Sequence, residues 1–380
     1  MTAPLSADFA DLDGRTWLNT AHQGALPGSA AAAARTAVEW KTRPYELTMD
    51  RFQGIPARLR EALANLVNGP IEQIVLGNSA SYGLHLIANA YPWRAGDEVL
   101  VMAGDFPSDV LPWLTLRERY GVRVHRIRPR ARVVTADELA AAITDRTRLF
   151  CTTWVHSFSG HVADLDALGE VCREHGVWFV VNGSQGVGAR PIDVTAAPID
   201  ALISVGFKWL CGPVGTGFTW LHPRLRERLT RVKAYWLAQL SQADLARDDL
   251  EVELPAERGP YDLDIFGTAN FFNFLPWTVA VEHVNAIGVR RIAEHNEALV
   301  ARLVERLPES GARLLDAESA LVYFSHADRG RNARLHATLA EAGVDVAFRG
   351  GTLRASPHLY NTFADIDRLV DTLAEGGDPC

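Results

Sequence analysis

The segment Val177–Leu221, VWFVVNGSQGVGARPIDVTAAPIDALISVGFKWLCGPVGTGFTWL, limits the folds open to this chain more than any other. It reads as a buried strand, a turn of small residues, a second buried strand, and then a single lysine ahead of glycines. Short, nearly continuous apolar runs suit strands covered on both faces. Glu98–Met102, Leu149–Trp154, Trp178–Val181 and Ala201–Val205 are all of this kind. Between two of them, Asp164–Gly176 carries Leu165, Leu168, Val171 and Cys172 on one helical stripe. Asp164 suits the N-cap of that helix and Gly176 the position after its C-cap. Such strand–helix–strand units predict an α/β fold with a mostly parallel sheet sandwiched by helices.

The tail has a different pattern. Val289–Leu307 is strongly amphipathic and predicts a helix, followed by a strand over Ala320–Ser325. A helix over Leu335–Ala342, a short strand over Leu353–Ser356 and a last helix over Ala364–Ala374 complete a smaller α+β lobe. The acidic segment Gln239–Tyr261 reads as irregular, and the alanine cluster Ala30–Ala34 as helix. With 380 residues the chain is too long for one simple core. The expected division is an N-terminal segment, 1–35, packing with the small domain and the active site, a large domain, 36–275, and a small C-terminal domain, 276–380.

Charge and cysteine usage exclude several function classes. A net charge of -8 argues against nucleic acid as a main partner. Cys151, Cys172, Cys211 and Cys380 are scattered with no CxxC pair, which fits a reducing cytoplasm and neither a disulfide framework nor a metal site. The opening MTAPLSADFADLDG lacks the basic and apolar regions of a signal peptide. No apolar run is long enough to span a bilayer.

Lys208 is the residue of chemical interest. It lies in Ser204-Val205-Gly206-Phe207-Lys208-Trp209, between apolar runs where a solvated lysine is out of place. A lysine held in such a site has a depressed pKa and acts as an amine nucleophile. The use this suggests is a Schiff base with pyridoxal 5′-phosphate. Asn78-Ser79-Ala80-Ser81 ends a strand and opens the helix Tyr82–Ala90. Backbone N–H groups and hydroxyls at a helix N-terminus suit a phosphate, and equally serve as an ordinary helix cap.

Further motifs stand in a telling order: TWLNTAHQGALP, GNSASYGLHLIANA, AGDFPSDVLPW, HSFSGHVADLDALGEVCREHG, FGTANFFNF and LRASPHLYNTFADIDRLV. Together they resemble the class V aminotransferases, the fold type I group that holds cysteine desulfurases, kynureninase and isopenicillin N epimerase. The resemblance spans nearly the whole chain. It implies a pyridoxal-phosphate enzyme in which Ser79 and Ser81, flanking Ala80 where relatives often carry threonine, cradle the phosphate. Ser204 matches another phosphate ligand, and Thr268 matches a residue that reaches the phosphate of the other subunit, which implies a homodimer. Phe106 takes the place of the aromatic residue stacked on the pyridine ring. Ser157 and Gln185 match partners of its phenolic oxygen. Arg354 matches the arginine that grips a substrate carboxylate. His22 and Gln23 lie where the distal end of a substrate would be read, with simple packing an equal alternative. Arg349 suits a second carboxylate or solvent, and Tyr360 and Asn361 are structural.

Two departures stand out. Asn182 replaces an aspartate that is nearly constant in the family, and a neutral amide stabilises a protonated ring nitrogen less well than a carboxylate. The segment Asp345–Leu353, where desulfurases carry a nucleophilic cysteine, has none. The resemblance therefore implies a lyase of the epimerase and C–S lyase-like branch. The expected reaction is β-elimination on an amino acid or cysteine S-conjugate in a small-molecule or natural-product pathway. Oxidative deamination coupled to decarboxylation, epimerisation and transamination remain alternatives. So does a non-catalytic pyridoxal-phosphate-binding homologue.

Overall fold

The computed structural model describes residues 5–256, 259, 261–268 and 270–376. Cys380, residues 1–4 of the opening stretch, Ala269 of the FGTANFFNF turn and three residues of Gln239–Tyr261 lie outside that set.

Seven strands form the main sheet, in the order Ile74–Gly77, Gly217–Leu221, Ala201–Val205, Trp178–Asn182, Thr147–Thr153, Glu98–Met102 and Arg123–Ile127. Gly217–Leu221 runs antiparallel to both its neighbours, and the remaining pairings are parallel. The apolar runs are continuous because both faces are covered. Val99, Val101, Leu149, Cys151, Val180, Ile203 and Val205 pack on one face with the helices Ala80–Ala90 and Leu111–Tyr120. Leu100, Met102, Phe150, Phe179, Val181 and Leu202 alternate onto the other, under the helices Met49–Val67, Leu165–Glu174 and Phe271–Ile287. Arg123–Ile127 gives no such run because it is an edge strand with three exposed residues.

Local signals set the helix ends. The Asp164 carboxylate accepts the Ala167 N–H at 3.0 Å, and Gly176 follows the helix with φ +66°. The tail builds an antiparallel sheet, Ala347–Arg349, Thr352–Ala355, Val322–His326 and Ala312–Asp316. Its apolar face, with Val322, Phe324 and Leu353, packs on Leu299, Leu303, Leu335 and Leu369 of three helices. Gln239–Tyr261 holds only short helical turns among its described residues.

The N-terminal segment joins the two sheets. Thr16–Trp17 pairs in parallel with Val344–Asp345, and Ser356 donates its N–H to Leu18 at 2.7 Å. Six residues after Leu18, Gly24 donates its N–H to the Phe207 carbonyl at 2.9 Å. Between the sheets His161 stands against two carboxylates, with Nε2 2.5 Å from Asp316 and Nδ1 2.8 Å from Glu318. No helix among the described residues is long and apolar enough to cross a membrane.

The segment packs tightly on the Lys208 turn at Gly24, where a Cβ would lie 2.0 Å from the Lys208 carbonyl oxygen. Backbone cannot yield as a side chain can, so Gly24→Ala must lift the segment away. Amide hydrogen exchange over residues 19–25 is expected to speed up about tenfold, since one hydrogen bond is lost, with the central strands unchanged. Unaltered protection there would show that the contact does not hold the segment.

Candidate active site

Loops leaving the carboxyl ends of the parallel strands converge on one cavity of about 370 Å³. This is where open α/β sheets gather ligands. It is lined by Ser79, Ala80 and Ser81, by Phe106, by Ser157, by Asn182 and Gln185, and by Lys208. His22 and Gln23 come from the N-terminal segment, and Arg349 and Arg354 from the small sheet. Of the predicted residues, only Ser204 and Thr268 are not among its walls.

Lys208 follows strand Ala201–Val205 on a tight turn. Cys211 N–H returns to the Lys208 carbonyl at 3.1 Å and Gly212 N–H to Gly206 at 2.8 Å. The turn closes through Cys211 in a left-handed conformation, φ 50°, a strained state that suits a functional turn. The ammonium lies 5.7 Å from the centre of the Phe106 ring. Burial and the nearby Arg354 push the Lys208 amine down to about 8 against the opposing pull of Asp109. Cys211 itself is fully buried with its thiol pushed up to about 12 by burial, the state of a packed, inert sulfur.

Ser79 is the N-cap of the helix Ala80–Ala90. Its hydroxyl accepts the Tyr82 N–H at 3.2 Å and donates to the Asn78 side chain at 3.0 Å. Capping thus engages this hydroxyl and leaves the Ser81 hydroxyl and the first-turn N–H groups for an anion. The strand Gly217–Leu221 passes so close that a Cβ at Gly217 would lie 2.7 Å from the Ser79 backbone.

Ser204 requires correction. Strand alternation turns Ile203 and Val205 to one face and Ser204 to the other, where its hydroxyl donates to the Val205 carbonyl at 3.4 Å. Val205 is the residue facing the cavity. Thr268 lines a different cavity, with Arg60, Tyr235 and Asp264, so it does not meet Lys208 within this chain.

Phe106 is 40% exposed, its ring 6.1 Å from that of Phe158 and close to parallel. Gln185 is held at both ends, donating to Ala21 at 3.0 Å and accepting from the Trp209 indole at 2.9 Å. The Ser157 carbonyl accepts from the Tyr323 hydroxyl and from Arg354.

Arg354 is 3% exposed and has no acid beside it. Its nitrogens reach the Ser157 carbonyl at 3.5 Å and the Asn19 side chain at 3.2 Å, and Nε has no partner. A buried guanidinium without a carboxylate is a site for an anion from outside. The His22 imidazole is held below its ordinary value by burial and by Arg349, Arg354 and Lys208. Tyr360 and Asn361 serve the fold: the Tyr360 hydroxyl bonds Thr20 at 2.5 Å and the Asn361 amide caps Trp17 at 3.1 Å.

Sequence reading missed Asp109 and Asp105. Both lie buried on the turn that carries Phe106, and Asp109 touches Asn182 at 2.6 Å. An acid in AGDFPSDV has no periodic signal to separate it from a loop aspartate.

These residues fit pyridoxal phosphate. A depressed amine, an anion-binding helix start, an aromatic wall and an unpaired guanidinium share one cavity. The family described as "Aminotransferase class-V" matches residues 43–369. A probable cysteine desulfurase of Xylella fastidiosa strain 9a5c is 30% identical, over 83% of this chain and 78% of that protein. Isopenicillin N epimerase of Streptomyces clavuligerus is 26% identical over 97% of this chain and 98% of its own. The cystine C–S lyase C-DES, solved with its reaction product cysteine persulfide, has the same fold, with a TM-score of 0.87 at 21% identity over 96% of this chain and 98% of its own. The chain belongs to the class V aminotransferase family of pyridoxal-phosphate-dependent enzymes.

Proposed function

We propose that this enzyme cleaves the Cβ–S bond of a cysteine S-conjugate by β-elimination. When bound, pyridoxal phosphate supplies an aldehyde that condenses with amines and a ring that draws electrons from Cα. The first-turn N–H groups at Ala80 and Ser81, with the Ser81 hydroxyl, would hold its phosphate. Phe106 would cover the ring, and Ser157 and Gln185 would lie near its phenolic oxygen. Lys208 would hold the aldehyde group through its amine. Its amine would be placed to take the Cα proton of a bound substrate, the C–H electron pair forming the Cα=Cβ bond as sulfur leaves with the pair of its bond to Cβ.

The observation that carries this reading is the pairing of Lys208 with Arg354 on one cavity. The guanidinium grips an α-carboxylate as a bidentate pair, which brings Cα toward a fixed amine. Among the described residues no cysteine lines the cavity, so a persulfide route has no sulfur acceptor there. Burial and the neighbouring Arg349, Arg354 and Lys208 hold the His22 imidazole below its ordinary value, which disfavours the charged form and suits a hydrogen-bond partner to a substrate. Exposed Trp236, Phe266 and Phe272 near Thr268 support a homodimer in which Thr268 reaches the partner's phosphate.

Incubation with cysteine S-conjugates is expected to release thiol, pyruvate and ammonia in equal amounts; an oxo acid formed without thiol would sink the elimination. Lys208→Ala should lose turnover and the adduct that borohydride fixes on this side chain, as read by peptide mass. Arg354→Gln should lower kcat/KM by about 10- to 100-fold, the worth of a charged hydrogen-bond pair.

Cofactor capture by the apoprotein needs the neutral amine. Its rate should therefore rise with pH to a plateau with a midpoint near 8. In Arg354→Gln a cation that favours the neutral form is gone, so the midpoint should move upward. A midpoint above pH 10 in the unmodified protein would contradict the site described.

A further inference from the structure

Asp109 lies at the end of the turn Pro107–Asp109 and is 0% exposed. One carboxylate oxygen accepts the Asn182 amide N–H at 2.6 Å, and the other has no partner. Other buried acids are differently placed. Asp97, Asp200, Asp262 and Asp264 each pair with an arginine. Asp105 takes backbone N–H groups from Phe106 and Thr153. A carboxyl sealed from water with a single amide donor is costly to the fold, and a site gives a reason to keep it.

Asn182 cannot turn the other way. Its oxygen accepts the Ser184 N–H at 3.0 Å and the Ser184 hydroxyl at 2.6 Å, and a backbone N–H can only donate. The amide nitrogen therefore faces Asp109, with one N–H engaged there and the second left over. The same side chain lines the cavity. A carboxylate behind an amide polarises it, which makes its remaining N–H a stronger donor.

We propose that Asp109 is a positioning residue that acts through the Asn182 amide to present negative charge to the ring-nitrogen pole of the cofactor. The charge missing from position 182 is thus supplied one residue further back. The inference rests on the pyridoxal-phosphate reading above, with the ring nitrogen toward Asn182. The groups facing Asp109 are Asp105 on the same turn, the Cys151 thiol on the adjoining strand and Lys208. Burial and Asp105 raise the Asp109 carboxyl well above the ordinary range, while Asn182 and Lys208 oppose them. A cation at the cofactor pole adds to the opposing side and favours the carboxylate.

The test uses holoenzyme of four forms: unmodified, D109N, N182D and the exchange D109N/N182D. Each is titrated by its visible cofactor absorbance from pH 5 to 10, after borohydride fixation has verified the adduct on Lys208. Loss of the carboxylate should move the D109N midpoint down by about one unit and weaken cofactor affinity about tenfold. The exchange variant restores the charge in direct contact and should return the midpoint to that of the unmodified enzyme. N182D alone places two acids side by side, so one stays protonated and the midpoint should barely move. A D109N midpoint equal to the unmodified one overturns the inference. If D109N does not fold, N182D decides: a rise of about a full unit means that Asp109 carried no charge, and the inference fails. Absence of the lysine adduct in the unmodified enzyme would instead sink the functional reading itself.

Discussion

Lys208 and Arg354 bring two cationic side chains to one cavity, and no acid lines that cavity among the described residues. Neither group is relaxed there: burial drives the amine toward its neutral form and leaves the guanidinium with a nitrogen unpaired. Each also disfavours the charge of the other. The energetic deficit is made good only by ligands of complementary chemistry, an aldehyde for the amine and carboxylate or phosphate groups for the cations. The cavity is in this sense built around what it binds, and the fold bears the cost when the ligands are away.

The sheet makes that arrangement possible. Five strands end at one edge of the sheet, and each hands one loop to the cavity: Asn78–Ser81, Asp105–Asp109, His156–Phe158, Asn182–Gln185 and Phe207–Lys208. Strand pairing fixes their relative heights, with Thr153 opposite Asn182 and Asn182 opposite Ile203. The small sheet then delivers Arg354 from a strand covered on both sides, while the N-terminal segment stitches it to the Lys208 turn through Gly24. Arg354 and the Lys208 amine thus come from separate sheets, joined by the backbone bonds of the N-terminal segment and by side-chain contacts such as Tyr323 and Arg354 on the Ser157 carbonyl.

Much of this was legible in the chain because burial leaves a pattern. Continuous apolar runs gave the central strands, and a lone lysine between two of them marked the turn after Ala201–Val205. Arg123–Ile127 escaped because an edge strand alternates weakly. Ser204 was misplaced by a single position: sequence spacing counts residues to Lys208, but pleating decides which of Ser204 and Val205 faces the cavity. Asp109 could not be found at all from sequence. Its role depends on meeting Asn182 across 73 positions of chain, a contact that only the packed sheet creates. Thr268 faces away from the Lys208 cavity of its own chain, so a single chain cannot define its part.

Relatives named for desulfuration share most of this architecture, yet shared architecture does not carry the chemistry with it. Transfer of sulfur to the enzyme demands a mobile thiolate near the substrate. Cys151, Cys172 and Cys211 are instead buried thiols, all raised by burial away from the reactive state. The short hairpin from Ala347–Arg349 to Thr352–Ala355 turns through Gly350 and Gly351 and offers Arg349 where a thiol would be required. Under the proposed elimination, with no acceptor thiol lining the cavity among the described residues, sulfur that leaves Cβ would depart as a small molecule. The cavity thus brings a reactive-type amine and two guanidinium groups together with no thiol among its described walls, which is the ground on which elimination rather than transfer is proposed.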